Sequence, residues 1–283
     1  ADMLLFDPQK VFLISDDNDV HFYQNQFLAD KHNYIISSLD LERMSWCGDK
    51  LDDKAAELAK VNKVSSIQTS FGNGNIYIFN MTKLKKIPWY LHKYLRSNQI
   101  IKVGVGIYDD MQYLLDQYKQ AVWHVFDLRY LYLYQNVLPW ETMGNGLKEA
   151  GRAILGLNLK KFNAYQWGYL VRRRVWGAKL INYSARDVNV GLSITFICGA
   201  LVYPKPTQSL KVLEKYIYDR LLLPYVDVGW NQVQFSRIME IQRHAKQDPM
   251  PPSERAENRK NHRSKFYAGH SGLQYPHQHY RYY

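Results

Sequence analysis

Residues 71–75, Phe-Gly-Asn-Gly-Asn, stand between two β-rich runs, 64–70 (VSSIQTS) and 76–80 (IYIFN). Gly and Asn tolerate the left-handed backbone of a tight hairpin turn, so the two runs are predicted to fold back as adjacent antiparallel strands. A sheet built on this hairpin constrains everything around it. Residues 10–15 (KVFLIS) and 34–43 (YIISSLDLER) read as further strands, and the helix predicted between them, at 21–30, turns Phe22, Phe27 and Leu28 inward.

Apolar residues at helical spacing in 88–97 (PWYLHKYLRS), with Pro near the start, precede the continuous apolar run 100–107 (IIKVGVGI) of a buried strand. This is a helix-then-strand crossover. Helices are also predicted at 111–118, around 128–135 and at 146–155, with a short strand at 121–126. A long helix at about 178–201 carries Leu180, Ile181, Val188, Leu192, Ile194 and Ile197 inward. The expected fold is α/β, a mixed sheet flanked by helices. Beyond it, 203–206 (YPKP) reads as a linker and 209–222 and 230–246 as amphipathic helices. In 243–283 Lys plus Arg exceed Asp plus Glu by eight to three, and from 247 onward aliphatic residues almost vanish, so that stretch is expected to be disordered.

Over the whole chain Lys plus Arg outnumber Asp plus Glu by 37 to 26, a net charge of +11. That balance suits a partner bearing phosphates, whether nucleic acid or an anionic membrane surface. No run of eighteen apolar residues and no basic-then-apolar leader is present, so no membrane span or secretion signal is expected. The start at Ala1, Asp2, Met3 reads as a trimmed fragment. Cys47 and Cys198 have neither metal-ligand spacing nor disulfide-scaffold density, so both thiols are expected free and the protein intracellular.

Asp40 and Glu42 are two apart near the end of a strand, and alternation across the pleat sends both carboxylates to one face. Such a pair either marks a wet strand face or awaits a hard cation such as Mg²⁺ or Mn²⁺. Asp110 follows the glycine pair of 103–107 (VGVGI), at the carboxyl end of a buried strand where α/β sheets place their sites. The competing reading makes Asp109 or Asp110 the N-cap of the next helix. Tyr183 and Asp187, four apart on the long helix, aim a phenol and a carboxylate at one point. An acid there is costly unless paired or metal-bound, although Arg186 beside it also fits a solvated edge.

Together these residues resemble the DEDD superfamily of 3′-to-5′ exonucleases, which share a ribonuclease-H-like sheet. Within it they resemble the Werner-type and ribonuclease-D-like branch, whose third motif carries tyrosine. The resemblance covers about residues 34–201, through 39–42 (LDLE), 66–68 (SIQ), 101–110 (IKVGVGIYDD) and 183–187 (YSARD), with Leu147, Gly156, Lys160 and Trp167 leading to the last. It departs at 168–179, which is longer than the family's usual turn and contains Arg172, Arg173 and Arg174.

The resemblance implies phosphodiester hydrolysis at the 3′ end of a single nucleic-acid strand with two divalent cations, Mg²⁺ or Mn²⁺. Asp40, Glu42 and Asp187 would hold one ion, Asp40 and, through water, Asp110 the other, and Tyr183 would orient the attacking water. Lys160, Lys161, Arg172, Arg173 and Arg174 are expected on backbone phosphates, with a solvated basic face as the alternative. The His-, Tyr- and Arg-containing tail favours RNA over DNA, because such side chains stack on unpaired bases. The expected organisation is an exonuclease domain at 1–201, a helical extension at 202–246 that offers a surface to a protein partner, and a basic tail at 247–283. The alternative is a catalytically silent member of the same fold that binds RNA as a scaffold.

Overall fold

The hairpin is the centre of the sheet. In the computed structural model, which describes residues 10–44, 63–129, 131, 146–159, 176–203 and 209–226, β3 (Lys63–Phe71) and β4 (Asn75–Asn80) pair antiparallel across the Gly-Asn turn. β2 (Ile36–Met44) lies antiparallel on the other side of β3. With β1 (Lys10–Ile14), β5 (Ile101–Gly104) and β6 (Val125–Asp127) they form one six-stranded sheet in the order β1-β4-β3-β2-β5-β6. The outer pairings are parallel, so β3 alone runs against the other five strands. The α/β mixed sheet expected from the sequence is the architecture found.

Side-chain alternation gives the sheet two faces with different tasks. Leu39, Leu41, Tyr77 and Phe79 point into the main core, built with α1 (Asp17–Asn33), α3 (Trp89–Leu95) and α4 (Ile107–Tyr118). Phe27 of α1 is its hub, with ring centroids of Phe71, Tyr77, Phe79 and Tyr94 4.9–5.7 Å away in edge-on arrangements. Each such pair adds about 0.5–1.5 kcal/mol beyond the area it buries. On the other face Ile76 and Ile78 pack on Ala185 and Val188 of α6 (Ala178–Val202). The short α2 (Met81–Leu84) follows β4, and α5 (Leu147–Leu155) lies against α6. No helix among the described residues is long and apolar enough to cross a membrane.

Several boundaries differ from the sequence expectation, each for a local reason. α1 begins at Asp17 because Asp16 caps it, accepting hydrogen bonds from the amides of Asn18 and Asp19, a contribution of about 1 kcal/mol. Its inner stripe is Val20, Tyr23 and Phe27. Phe22 is 77% exposed, contrary to the inward position expected of it; at about 100° per residue it lies some 140° around the helix from Phe27. β5 stops at Gly104 and the next helix starts at Ile107, since Gly106 takes the left-handed conformation (φ 75°) that ends the strand. Residues 121–124 are not strand. Trp123 donates its amide to Leu95 O, and His124 is itself left-handed at φ 50°.

α7 (Leu210–Tyr216), capped by Ser209, continues as a π-helical turn over Ile217–Leu222. Its Glu214 is buried and accepts hydrogen bonds from the amides of Ile35 and Ile36, at 3.0 and 3.2 Å, at the start of β2. The amphipathic helix expected at 230–246 and the tail at 247–283 lie outside the described residues, as do 132–145 and Cys47. Cys198 is buried, its thiol free among the described residues.

Candidate active site

Asp40 and Glu42 leave β2 on the face that α6 covers, and Asp187 comes down from α6 to meet them. One carboxylate oxygen from each of the three lies within 4.8 Å of the others. That approach depends on two glycines. A Cβ on Gly191, one turn beyond Asp187, would sit 2.7 Å from Ser38 Oγ, and one on Gly104 would sit 2.5 Å from Leu39 O. Both glycines let neighbouring backbone close on β2 beside Asp40. Past Glu42, Ser65 is an extra residue on β3 and returns its hydroxyl to Glu42 O at 2.8 Å. Such a bulge bends the strand and re-aims the side chains next to it.

Asp110 lies inside the first turns of α4, whose N-cap is Gly106, so it caps nothing and the capping alternative for it falls away. It is buried, and its pKa is well above the usual carboxylate range. Burial is the main cause, the charges of Asp40, Glu42 and Asp109 add to it, and Arg43 opposes it. The turn that carries Asp110 is held by Asp127 at the end of β6. Asp127 accepts the Gly106 amide at 3.1 Å and takes both arms of Arg129, at 2.8 and 2.6 Å. Tyr183 donates a hydrogen bond to Asp187, and burial together with the charges of Asp187, Glu42 and Asp40 keeps its phenol protonated far above neutral pH. Asp187 is 4% exposed whereas Arg186 faces solvent, so the solvated-edge alternative does not describe Asp187.

Crowded carboxylates of this kind repel unless a cation lies among them, and an all-oxygen donor set suits a hard divalent ion. A cleft of about 370 Å³ opens beside them. Its floor is Ser38, Asp40, Gly104, Asp187 and Gly191, and its rim is the first turn of α5, Gly146 to Glu149. Lys148 and Glu149 were not distinguishable in the sequence from an ordinary polar helix face. The glycine at 191 carried a signal, since a glycine in a long helix, one turn from an acid, usually marks close packing. Lys160, Lys161, Arg172, Arg173 and Arg174 lie outside the described residues.

Residues 53–197 match the family model described as 3′-5′ exonuclease. The chain belongs to the 3′-5′ exonuclease family. The matched span takes in Asp110, Tyr183 and Asp187 and begins downstream of Asp40 and Glu42. Membership places the chain in the DEDD superfamily that its acidic motifs resemble. It is 30% identical over 156 residues to human Exonuclease 3′-5′ domain-containing protein 2, covering 51% of this chain and 23% of that protein. The Drosophila melanogaster protein of the same name is 25% identical over 174 residues, 60% of this chain and 28% of that one. The chain thus spans about a quarter of the length of the curated relatives it matches. Among solved structures, the catalytic core of RRP6 from Trypanosoma brucei shares the fold, with a TM-score of 0.51 at 15% identity over 77% of this chain and 52% of that one. The EXD2 exonuclease domain soaked in Mn and Mg gives 0.37 at 24% identity, over 73% and 94% of the two chains.

Proposed function

We propose that this exonuclease removes nucleotides from the 3′ end of a single strand by a two-metal mechanism, prefers RNA to DNA, and belongs to the tyrosine-bearing branch of its superfamily. The observation that carries the reading is the meeting of Asp40, Glu42 and Asp187 within 4.8 Å beside the buried Asp110. In this reading Asp40, Glu42 and Asp187 would hold one Mg²⁺ or Mn²⁺, and Asp40 with Asp110, through water, would hold a second. Bound divalent ions supply positive charge to the scissile phosphate and make a water acidic enough to act at neutral pH.

The chain's own groups position the rest. With its proton committed to Asp187, the Tyr183 oxygen accepts from the attacking water and fixes its orientation. The first turn of α5 lines the cleft, and the positive end of that helix would favour a phosphate there. Lys160, Lys161, Arg172, Arg173 and Arg174 grip the backbone without reading sequence. The preference for RNA rests on the tail's stacking residues and on Glu149, whose Oε2 is buried at the cleft rim with no partner among the described residues. A carboxylate oxygen brought against the sugar there would accept from the ribose 2′-hydroxyl, which DNA lacks.

The test uses 5′-labelled single-stranded RNA and DNA of identical sequence with Mg²⁺ or Mn²⁺. A ladder shortening from the 3′ end, faster on RNA and absent in the variant with both Asp40→Ala and Glu42→Ala, is expected. A double variant that degrades at the wild-type rate defeats the assignment.

A further inference from the structure

We propose that the outer face of α3, with Trp123 beside it, is a second binding surface that takes a single nucleic-acid strand at a distance from the acidic cluster. It draws on the proposed function only for the partner being nucleic acid. Between Glu57 and Asp109 the chain has no Asp or Glu in 51 residues, while eight are Lys or Arg. α3 lies within this acid-free stretch and buries Tyr90, Leu91, Tyr94 and Leu95. The opposite line, Trp89, Lys93 and Arg96, at i, i+4 and i+7, faces outward over a rise of about 10 Å.

These side chains are already paired as aromatic and cation. Lys93 Nζ is 4.8 Å from the Trp89 ring centroid and Arg96 Cζ is 5.1 Å from that of Trp123. The bond from Trp123 N to Leu95 O, 2.9 Å, pins the second indole at the end of α3. Trp89 and Trp123 remain 48% and 46% exposed. Lys31, in the last turn of α1, is close enough to Lys93 that repulsion between them adds to burial in lowering its pKa. Among the described residues no carboxylate pairs with Lys31, Lys93 or Arg96.

Crowded, uncompensated cations call for an anion, and half-exposed indoles call for flat apolar groups. A single strand offers both at once, phosphates for Lys31, Lys93 and Arg96 and bases to stack on the indoles. An acidic peptide would leave the tryptophans wet.

α3 packs on the sheet face opposite α6, so this surface lies one helix layer and the sheet away from the cleft. That is on the order of 20–30 Å, or roughly six to nine stacked nucleotides. Only a substrate longer than about ten nucleotides reaches both sites, so the surface selects for length and for grip on the strand upstream of the end being cut.

The full chain carrying Lys93→Glu and Arg96→Glu, and separately Trp89→Ala with Trp123→Ala, is compared with wild type on a 5-mer and a 30-mer of unstructured RNA. Binding is measured without divalent ions across a salt series, and hydrolysis with Mn²⁺. Both variants are expected to weaken 30-mer binding about tenfold or more, leaving kcat and KM on the 5-mer unchanged. Losing two phosphate contacts should flatten the log–log salt slope by about 1.4. Unchanged 30-mer affinity in the charge variant overturns the proposal. So does a loss confined to anionic phosphatidylserine vesicles, which would make the face a membrane contact. If wild type binds the 30-mer through this face yet hydrolyses nothing, the surface stands and the proposed activity does not.

Discussion

Arg43 lies over the ring of Tyr113, its Cζ 4.1 Å from the centroid, and from there its charge opposes the burial and the three carboxylates that raise the pKa of Asp110. Arg43→Met is therefore expected to push the Asp110 pKa still higher. Less of the ionised form is then available near neutral pH, and the acidic limb of kcat/KM against pH moves upward. Identical limbs in the two proteins would show that Arg43 serves packing alone.

Asp110 also links stability to pH. Its folded pKa is raised, so the stabilisation it contributes is complete below the unfolded value of about 4 and is lost as pH rises through the folded value. In metal-free protein, Asp110→Asn is expected to gain on wild type with rising pH and then level off. Thermal melts in EDTA from pH 4 to 8 check this. A difference in Tm that stays constant over the range would mean Asp110 titrates alike folded and unfolded.

Tyr183→Phe keeps the ring and deletes the hydroxyl that Asp187 holds. A fall in kcat of roughly 10²–10⁴-fold is expected with KM nearly unchanged. The wild-type profile should show no alkaline limb from this residue, because its proton stays on at any working pH. A rise in KM at constant kcat would make Tyr183 a stacking residue for substrate.

Gly191→Ala places a methyl 2.7 Å from Ser38 Oγ. The expected cost is about 1–3 kcal/mol of stability, with weaker Mn²⁺ binding as Asp187 is pushed from Asp40. Adding Ser38→Ala removes the offending oxygen and should restore both. The parallel change Gly104→Ala meets the backbone oxygen of Leu39 and has no such rescue. A double variant no better than Gly191→Ala would place the constraint elsewhere in α6.

Glu149→Gln keeps the shape of the rim side chain and halves its acceptor capacity. The ratio of kcat/KM on RNA to that on DNA is expected to fall, with the DNA value little changed. Equal losses on both substrates would assign Glu149 to cation or phosphate placement.

How much of this was legible in the sequence depends on how local its cause is. The one-face placement of Asp40 and Glu42 follows from strand alternation, and that of Tyr183 and Asp187 from the helical repeat. Each pair needs only its own element. The Gly-Asn hairpin is equally local. Phe22 was misplaced because a single aromatic gives no phase, and the helix face was settled by Val20, Tyr23 and Phe27 packing together. Gly106 read as part of a strand because an isolated glycine gives no sign of its φ. Arg43 beside Asp110, Asp127 beneath the Gly106 turn and the rim of α5 join elements distant in sequence, which a periodic reading does not connect.

Glu214 accepts the amides of Ile35 and Ile36 across sequence separations of 179 and 178 residues. The strand that carries Asp40 is therefore finished at its beginning by a residue made long after it. At about 5–20 residues per second, translation leaves β2 waiting some 10–35 s for that partner. On a nascent chain those two amides meet their carboxylate only once α7 has emerged, 27 residues behind Asp187, the last-made member of the acidic cluster.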